Sequence, residues 1–262
     1  MELDLYQIDS FTDTIFKGNP ACVVPLNEWL SDEVLLNIAK ENAVAETAFF
    51  IKKKNNFHLR WFTPEIEMDL CGHATLAAAH CLKSILGYNK DSIVFETLSG
   101  ELKVGFDRDY YLMDLPSRMP FVAQLPEIIS ESLNILPKEV YKSRDYLLVY
   151  KNENEINNIK VNKEIFDQIN LDPGGVIVTS KGDHCDFVSR FFTSQSSILE
   201  DPVTGSSHCS LTPFWSKRLK KVSMNSSQLS KRGGSLKCID KGDRVVICGK
   251  AKTYSVGKLR TN

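Results

Sequence analysis

Apolar and polar positions alternate along Leu3–Ile8 and again along Phe57–Phe62, the period-two pattern of a strand with one buried face. After Gly72 the period changes. Ala74, Ala77, Ala78 and Cys81 recur at three- and four-residue spacing, which predicts an amphipathic helix over 74–86 with a narrow face of small residues. A hairpin over 92–104, turning at Ser99-Gly100, and a strand over 110–115 follow. The polar run Lys52-Lys53-Lys54-Asn55-Asn56 reads as a solvated hairpin tip, since it lacks the interleaved aromatics of a nucleic-acid surface. Val44–Phe50 has the apolar density of a buried strand, interrupted by Glu46.

The pattern occurs twice. Phe57–Thr63 (FHLRWFT) returns as Phe187–Thr193 (FVSRFFT) at an offset of 130, and the turn glycine Gly72 returns as Gly205 at 133. Gly100-Glu101-Leu102-Lys103 returns as Gly234-Ser235-Leu236-Lys237 at 134, and the strand 109–113 as 243–247. Four matches in one order, with offsets drifting by only a few residues, indicate a duplicated unit of about 130 residues. The expected architecture is therefore α+β: two pseudo-symmetric α/β domains, 1–118 and 119–262, with the last strand crossing back to the first. The three prolines of 116–126 mark the boundary. In the second copy the helix after Gly205 meets Pro213, which should end or kink it and leave 213–219 as a separate piece. Two like units are expected to pack face to face, with Gly72 and Gly205 opening on a shared cleft.

Composition narrows the function. The chain has 262 residues, 42% hydrophobic and 25% charged, with a net charge of −1, so no nucleic-acid partner follows from its charge. No apolar run reaches the roughly 20 residues of a membrane span. Seven scattered cysteines without a C-x-x-C pair, together with an acidic N-terminus that runs straight into a strand, predict a reducing cytoplasm.

The side chains flanking the two glycine turns suit proton transfer. Asp69, Cys71 and His73 surround Gly72, while Glu200, Asp201, Thr204, Ser206 and His208 surround Gly205. A helix N-terminus presents unpaired amides and about half a positive charge, so two of them could grip a carboxylate and stabilise charge developing on it. The plainer alternative is that both glycines only make tight turns. Glu46 is costly to bury ionised and should be raised in pKa, hydrogen-bonded, or both. Val176 stands at the matching place in the second copy, so the repeat itself does not require an acid there.

Gly18-Asn19-Pro20-Ala21, Ala45–Phe49, Arg60–Pro64, Cys71–Thr75, Glu200–Ser206 and Arg232-Gly233-Gly234 together resemble the phenazine-biosynthesis-like (PhzF) family, of diaminopimelate-epimerase-like fold. The resemblance implies curled sheets around central helices, no metal or organic cofactor, and a homodimer. It also implies an isomerase that moves a proton on a small carboxylate-bearing substrate. By motif, the catalytic roles fall on Glu46 as general acid/base and on His73 and Asp201. Substrate contacts fall on Gly72, Cys71, Gly205, Ser206 and Asn19. The related amino-acid epimerases carry a thiol before each turn glycine. Here Cys71 precedes the first and Thr204 the second, which breaks the two-thiol mechanism and leaves Cys71 as either a one-sided base or a small buried residue.

Three rivals stand beside this reading: a racemase or lyase using Cys71 with Glu46, a non-catalytic binding protein that kept the pocket, and a metal hydrolase using His184, Cys185, Asp186, His208 and Cys209. The last lacks metal-ligand spacing. His58 and His80 are each read as a surface or packing histidine, and Trp29, Trp61 and Trp215 as core packing.

Overall fold

The computed structural model describes residues 1–172 and 174–261. It divides into two compact units, Met1–Leu115 with the segment from Ile247 onward, and Pro116–Val246.

The first unit contains β1 (Glu2–Ser10), β2 (Asn19–Leu26), α1 (Asp32–Asn42), β3 (Glu46–Lys53), β4 (Asn56–Phe62), β5 (Glu67–Met68), α2 (Gly72–His80), β6 (Ser92–Thr97), β7 (Gly100–Asp107) and β8 (Tyr110–Pro116). The second contains β9 (Phe121–Val122), α3 (Glu127–Ser132), β10 (Glu139–Lys142), β11 (Tyr146–Val149), α4 (Glu153–Asn158), α5 (Lys163–Phe166), β12 (Val176–Lys181), β13 (Phe187–Phe192), β14 (Glu200–Asp201), α6 (His208–Leu219), β15 (Ser223–Gln228) and β16 (Gly234–Asp240). β17 (Arg244–Gly249) carries the chain back to the first unit, where β18 (Ala251–Arg260) ends it.

Taken separately, the units share one strand plan. In the first, β1 and β2 are antiparallel, β2 and β3 parallel, β3 and β4 antiparallel, β4 and β6 parallel, and β6 and β7 a hairpin. In the second, β10, β11, β12, β13, β15 and β16 repeat those relations in the same order. β18 adds an antiparallel strand along the outer side of β1.

An ion pair repeats as well. Arg60 on β4 grips Glu67 through two contacts of 2.6 Å, and Arg190 on β13 grips Glu200 at 2.7 and 2.9 Å. Each guanidinium also lies over a phenylalanine of its own strand, Phe62 or Phe192.

Helix α2 departs from the amphipathic expectation: all nine of its residues are buried. It packs against β1, β2, β3 and β18, so no face is left to meet water and the apolar residues do not form one stripe. The helix also changes pitch. Cys81–Ile85 form a π-helical turn closed by the Leu86 amide on the Cys81 carbonyl at 2.9 Å. At the junction His80 contacts the Tyr111 hydroxyl at 2.8 Å and the Thr253 hydroxyl at 2.9 Å, so of the two expectations, surface or packing, it takes the second.

Helix α6 corrects the second expectation. It runs unbroken through Pro213. Proline cannot donate to the carbonyl four residues back, which is that of Cys209. That carbonyl instead accepts the backbone amide of Arg118 at 2.8 Å, so no buried acceptor is stranded and the helix continues.

Candidate active site

In the first unit, α1 ends at Ala43 in the left-handed conformation (φ 50°), and three residues later Glu46 opens β3 opposite Ala21 of the parallel strand β2. Cys71 caps α2 in extended conformation and Gly72 is the first helical residue. The Thr75 hydroxyl donates to the Cys71 carbonyl at 2.5 Å, and the Ser10 hydroxyl donates to the His73 carbonyl at 2.8 Å, so the turn is pinned from two sides. Asn19, buried at the start of β2, sits opposite Ser10 in register.

The His73 ring lies between two neighbours. Its Nε2 is 3.0 Å from Glu46 Oε2, and its Nδ1 is 3.5 Å from Cys71 Sγ. The side chains of His73 and Glu46 are only 4% and 15% exposed. Burial pushes the Cys71 thiol up to about 11, and the Glu46 carboxylate adds to the effect. Burial works against charge on His73, yet Cys71 and Glu46 outweigh it and hold the ring well above its ordinary value. The ring is thereby held toward its charged form between a carboxyl group and a thiol. Asp69, grouped with them by sequence, is exposed and lies outside this cluster.

In the second unit, β14 leads through Pro202 into a turn that starts α6 with short bonds: the His208 amide to the Gly205 carbonyl (3.2 Å) and the Cys209 amide to the Ser206 carbonyl (3.1 Å). The Thr204 hydroxyl donates to Asp201 Oδ2 at 2.5 Å. The Ser206 hydroxyl accepts from Arg144 Nη2 at 3.2 Å.

Two sequence candidates have other occupations. Glu200 is held by Arg190, and His208 is fully buried, with Nδ1 at 2.9 Å from the Thr204 carbonyl and Nε2 at 3.2 Å from the Ser226 hydroxyl. Burial takes its ring down to about 4, so it braces the turn as a neutral group.

Sequence reading passed over Arg144 and Gln228. The signal for Gln228 was present in the period of β15, where Met224, Ser226 and Gln228 alternate inward.

Glu46, Cys71 and His73 each offer a donor atom within 4.8 Å of the others, the arrangement a metal ion could use. Among the described residues, the His184, Cys185, Asp186, His208 and Cys209 donors form no such group.

Residues 8–257 match the family model described as phenazine biosynthesis-like protein. The chain belongs to the phenazine biosynthesis-like family. A family relative, described as an uncharacterized isomerase of Pseudomonas aeruginosa, is 44% identical over 259 residues, covering 99% of each chain. The crystal structure of a PhzF family protein from Enterococcus faecalis superposes with a TM-score of 0.94 at 41% identity, covering 100% of both chains. A hydroxyproline epimerase from Agrobacterium vitis shares the fold at a TM-score of 0.62 and 8% identity, over 98% of this chain and 92% of its own. The PhzF-like chain is thus an enzyme of the isomerase class, with the α+β fold its sequence implied. Among the described residues no helix is long and apolar enough to cross a membrane.

Proposed function

We propose that this enzyme isomerises a small carboxylate-bearing substrate by general acid/base catalysis, with Glu46 moving the proton. The observation that carries the reading is the buried Glu46–His73 ion pair at 3.0 Å, set at the mouth of the α2 turn. Glu46 as carboxylate takes a proton from one substrate carbon, and the electron pair moves into conjugation with the substrate carboxyl. The same group then returns the proton to a second carbon. No electrons are gained or lost, so the step calls on no cofactor.

The His73 imidazolium supplies positive charge beside the carboxylate that must accept and release the proton. Cys71 and Asn19 serve on that side as neutral contacts. By the family resemblance, Asp201 takes the role of orienting the polar groups of the substrate, and Ser206 and the amides at Gly72 and Gly205 that of holding its carboxylate. The resemblance adds a homodimer to the reading, and the scattered cysteines a cytoplasmic location.

The thiol-based alternative meets a physical obstacle. A base must be deprotonated, and burial beside Glu46 raises Cys71 to about 11.

Solvent-deuterium incorporation into a panel of carboxylic and amino acids, followed by NMR and mass spectrometry, tests the choice. Exchange at one carbon should fall at least about 100-fold in Glu46→Gln and survive in Cys71→Ser. Exchange that survives Glu46→Gln but is lost in Cys71→Ser would transfer the chemistry to the thiol. Exchange into none of the compounds would count against a carboxylate substrate.

A further inference from the structure

Gln228, at the end of β15, is 1% exposed and spends its whole amide on the Asp201–Thr204 turn. Its Oε1 accepts the Thr204 backbone amide at 2.9 Å. Its Nε2 donates to the Asp201 carbonyl at 2.8 Å and to the Thr204 hydroxyl at 3.1 Å. The two backbone contacts fix which end of the amide is oxygen, because a backbone N–H can only donate and a carbonyl can only accept. The direction of the third contact follows: the Thr204 oxygen receives a hydrogen from Gln228. Its own proton is then directed at Asp201 Oδ2, 2.5 Å away. Thr204 is itself only 6% exposed, so little water competes for that hydroxyl. The chain of donors runs one way, from Gln228 through Thr204 to the carboxylate.

We infer that Gln228 and Thr204 are positioning residues, the amide fixing the direction of the hydroxyl and the hydroxyl holding Asp201 as an oriented carboxylate. The place of Asp201 beside the substrate rests on the function proposed above; the relay itself rests on this geometry. Neither Thr204 nor Gln228 needs to touch substrate. A hydrogen bond to a charged group is shorter and stronger than a neutral one, and it favours the ionised form. Removing the hydroxyl should therefore make Asp201 easier to protonate.

The test is a carbon-13 NMR titration of the aspartate carboxylates in the full chain, with the Asp201 signal assigned by its loss in Asp201→Asn. In Thr204→Val, which keeps the shape and removes the donor, the Asp201 midpoint should rise by on the order of one pH unit. Thr204→Ser, which keeps the donor, should restore the wild-type midpoint to within a few tenths. Thr204→Ala serves as a second donor-free variant should valine disturb folding. An Asp201 midpoint in the donor-free variants equal to that of wild type overturns the inference, as does a serine variant that behaves like valine.

Deuterium exchange measured on the same samples separates the two proposals. If exchange is found, its acidic limb in Thr204→Val should move to higher pH by the same amount as the Asp201 midpoint. A shifted midpoint with exchange absent in every protein, wild type included, would sustain the relay and sink the isomerase reading. Exchange present, with both the midpoint and the limb unmoved, would sustain the isomerase and sink the relay.

Discussion

At the scale of single residues, chemistry-bearing side chains divide by whether the fold has already used them. Glu46 was legible because a charge in an apolar run is expensive and demands a partner, and the partner is His73. Glu200 and His208 looked equally reactive in sequence, but Arg190 claims one and the turn carbonyl of Thr204 the other. Gln228 escaped notice because, although the alternation of β15 aims it inward, a polar residue at the end of a polar strand gives no sign of what it will bond. Gly18 shows a steric rather than a chemical demand. Its φ is +66°, and a Cβ there would lie 2.1 Å from the Ser10 carbonyl oxygen. Gly18→Ala should cost on the order of 2 kcal/mol, combining backbone strain with the clash. A urea midpoint equal to that of wild type would refute this.

At the scale of elements, periodicity placed the strands and hairpins well but misjudged both long helices of the turns. Small residues at helical spacing look like one face when counted along a sequence. In α2 they are part of a helix buried on all sides, which packing alone reveals. Pro213 is a helix breaker as a local rule, worth about 3 kcal/mol in a helix interior. Here the acceptor that it strands has been taken by the Arg118 amide. Pro213→Ala should accordingly change stability by less than about 1 kcal/mol, because the hydrogen bond it could restore has already been replaced. A gain near the full helix penalty, read from chemical denaturation, would show instead that the proline strains α6.

At the scale of the whole molecule, the buried histidines set a response to pH. Burial depresses both His80 and His208 from 6.5 to about 4. Between those values the unfolded chain binds protons that the folded chain does not, so stability present above about 6.5 is lost as the pH falls toward 4. His73 acts in the opposite sense. Its raised value stabilises the fold below 6.5, and that contribution fades as the pH rises through the raised value. Urea unfolding across a pH series should therefore show a decline on the acid side, and His80→Asn should make that decline shallower. An equally steep acid decline in the variant would exclude His80 as a contributor.

The sequence by itself determined the strand pattern, the duplication and the two clusters of reactive side chains. Each of these is carried by local alternation, by turn glycines or by direct repetition of residues. Both units keep the same strand relations because the same alternation selects the same buried faces. Only the tertiary structure decided which nitrogen of His73 meets which partner, who satisfies the Cys209 carbonyl, and where the Thr204 proton points. Those outcomes depend on groups brought together from distant parts of the chain, Arg118 with Cys209 and Gln228 with Thr204. A hydrogen bond is directional and short-ranged, so its partner is chosen by packing after the elements have formed and leaves no period in the sequence.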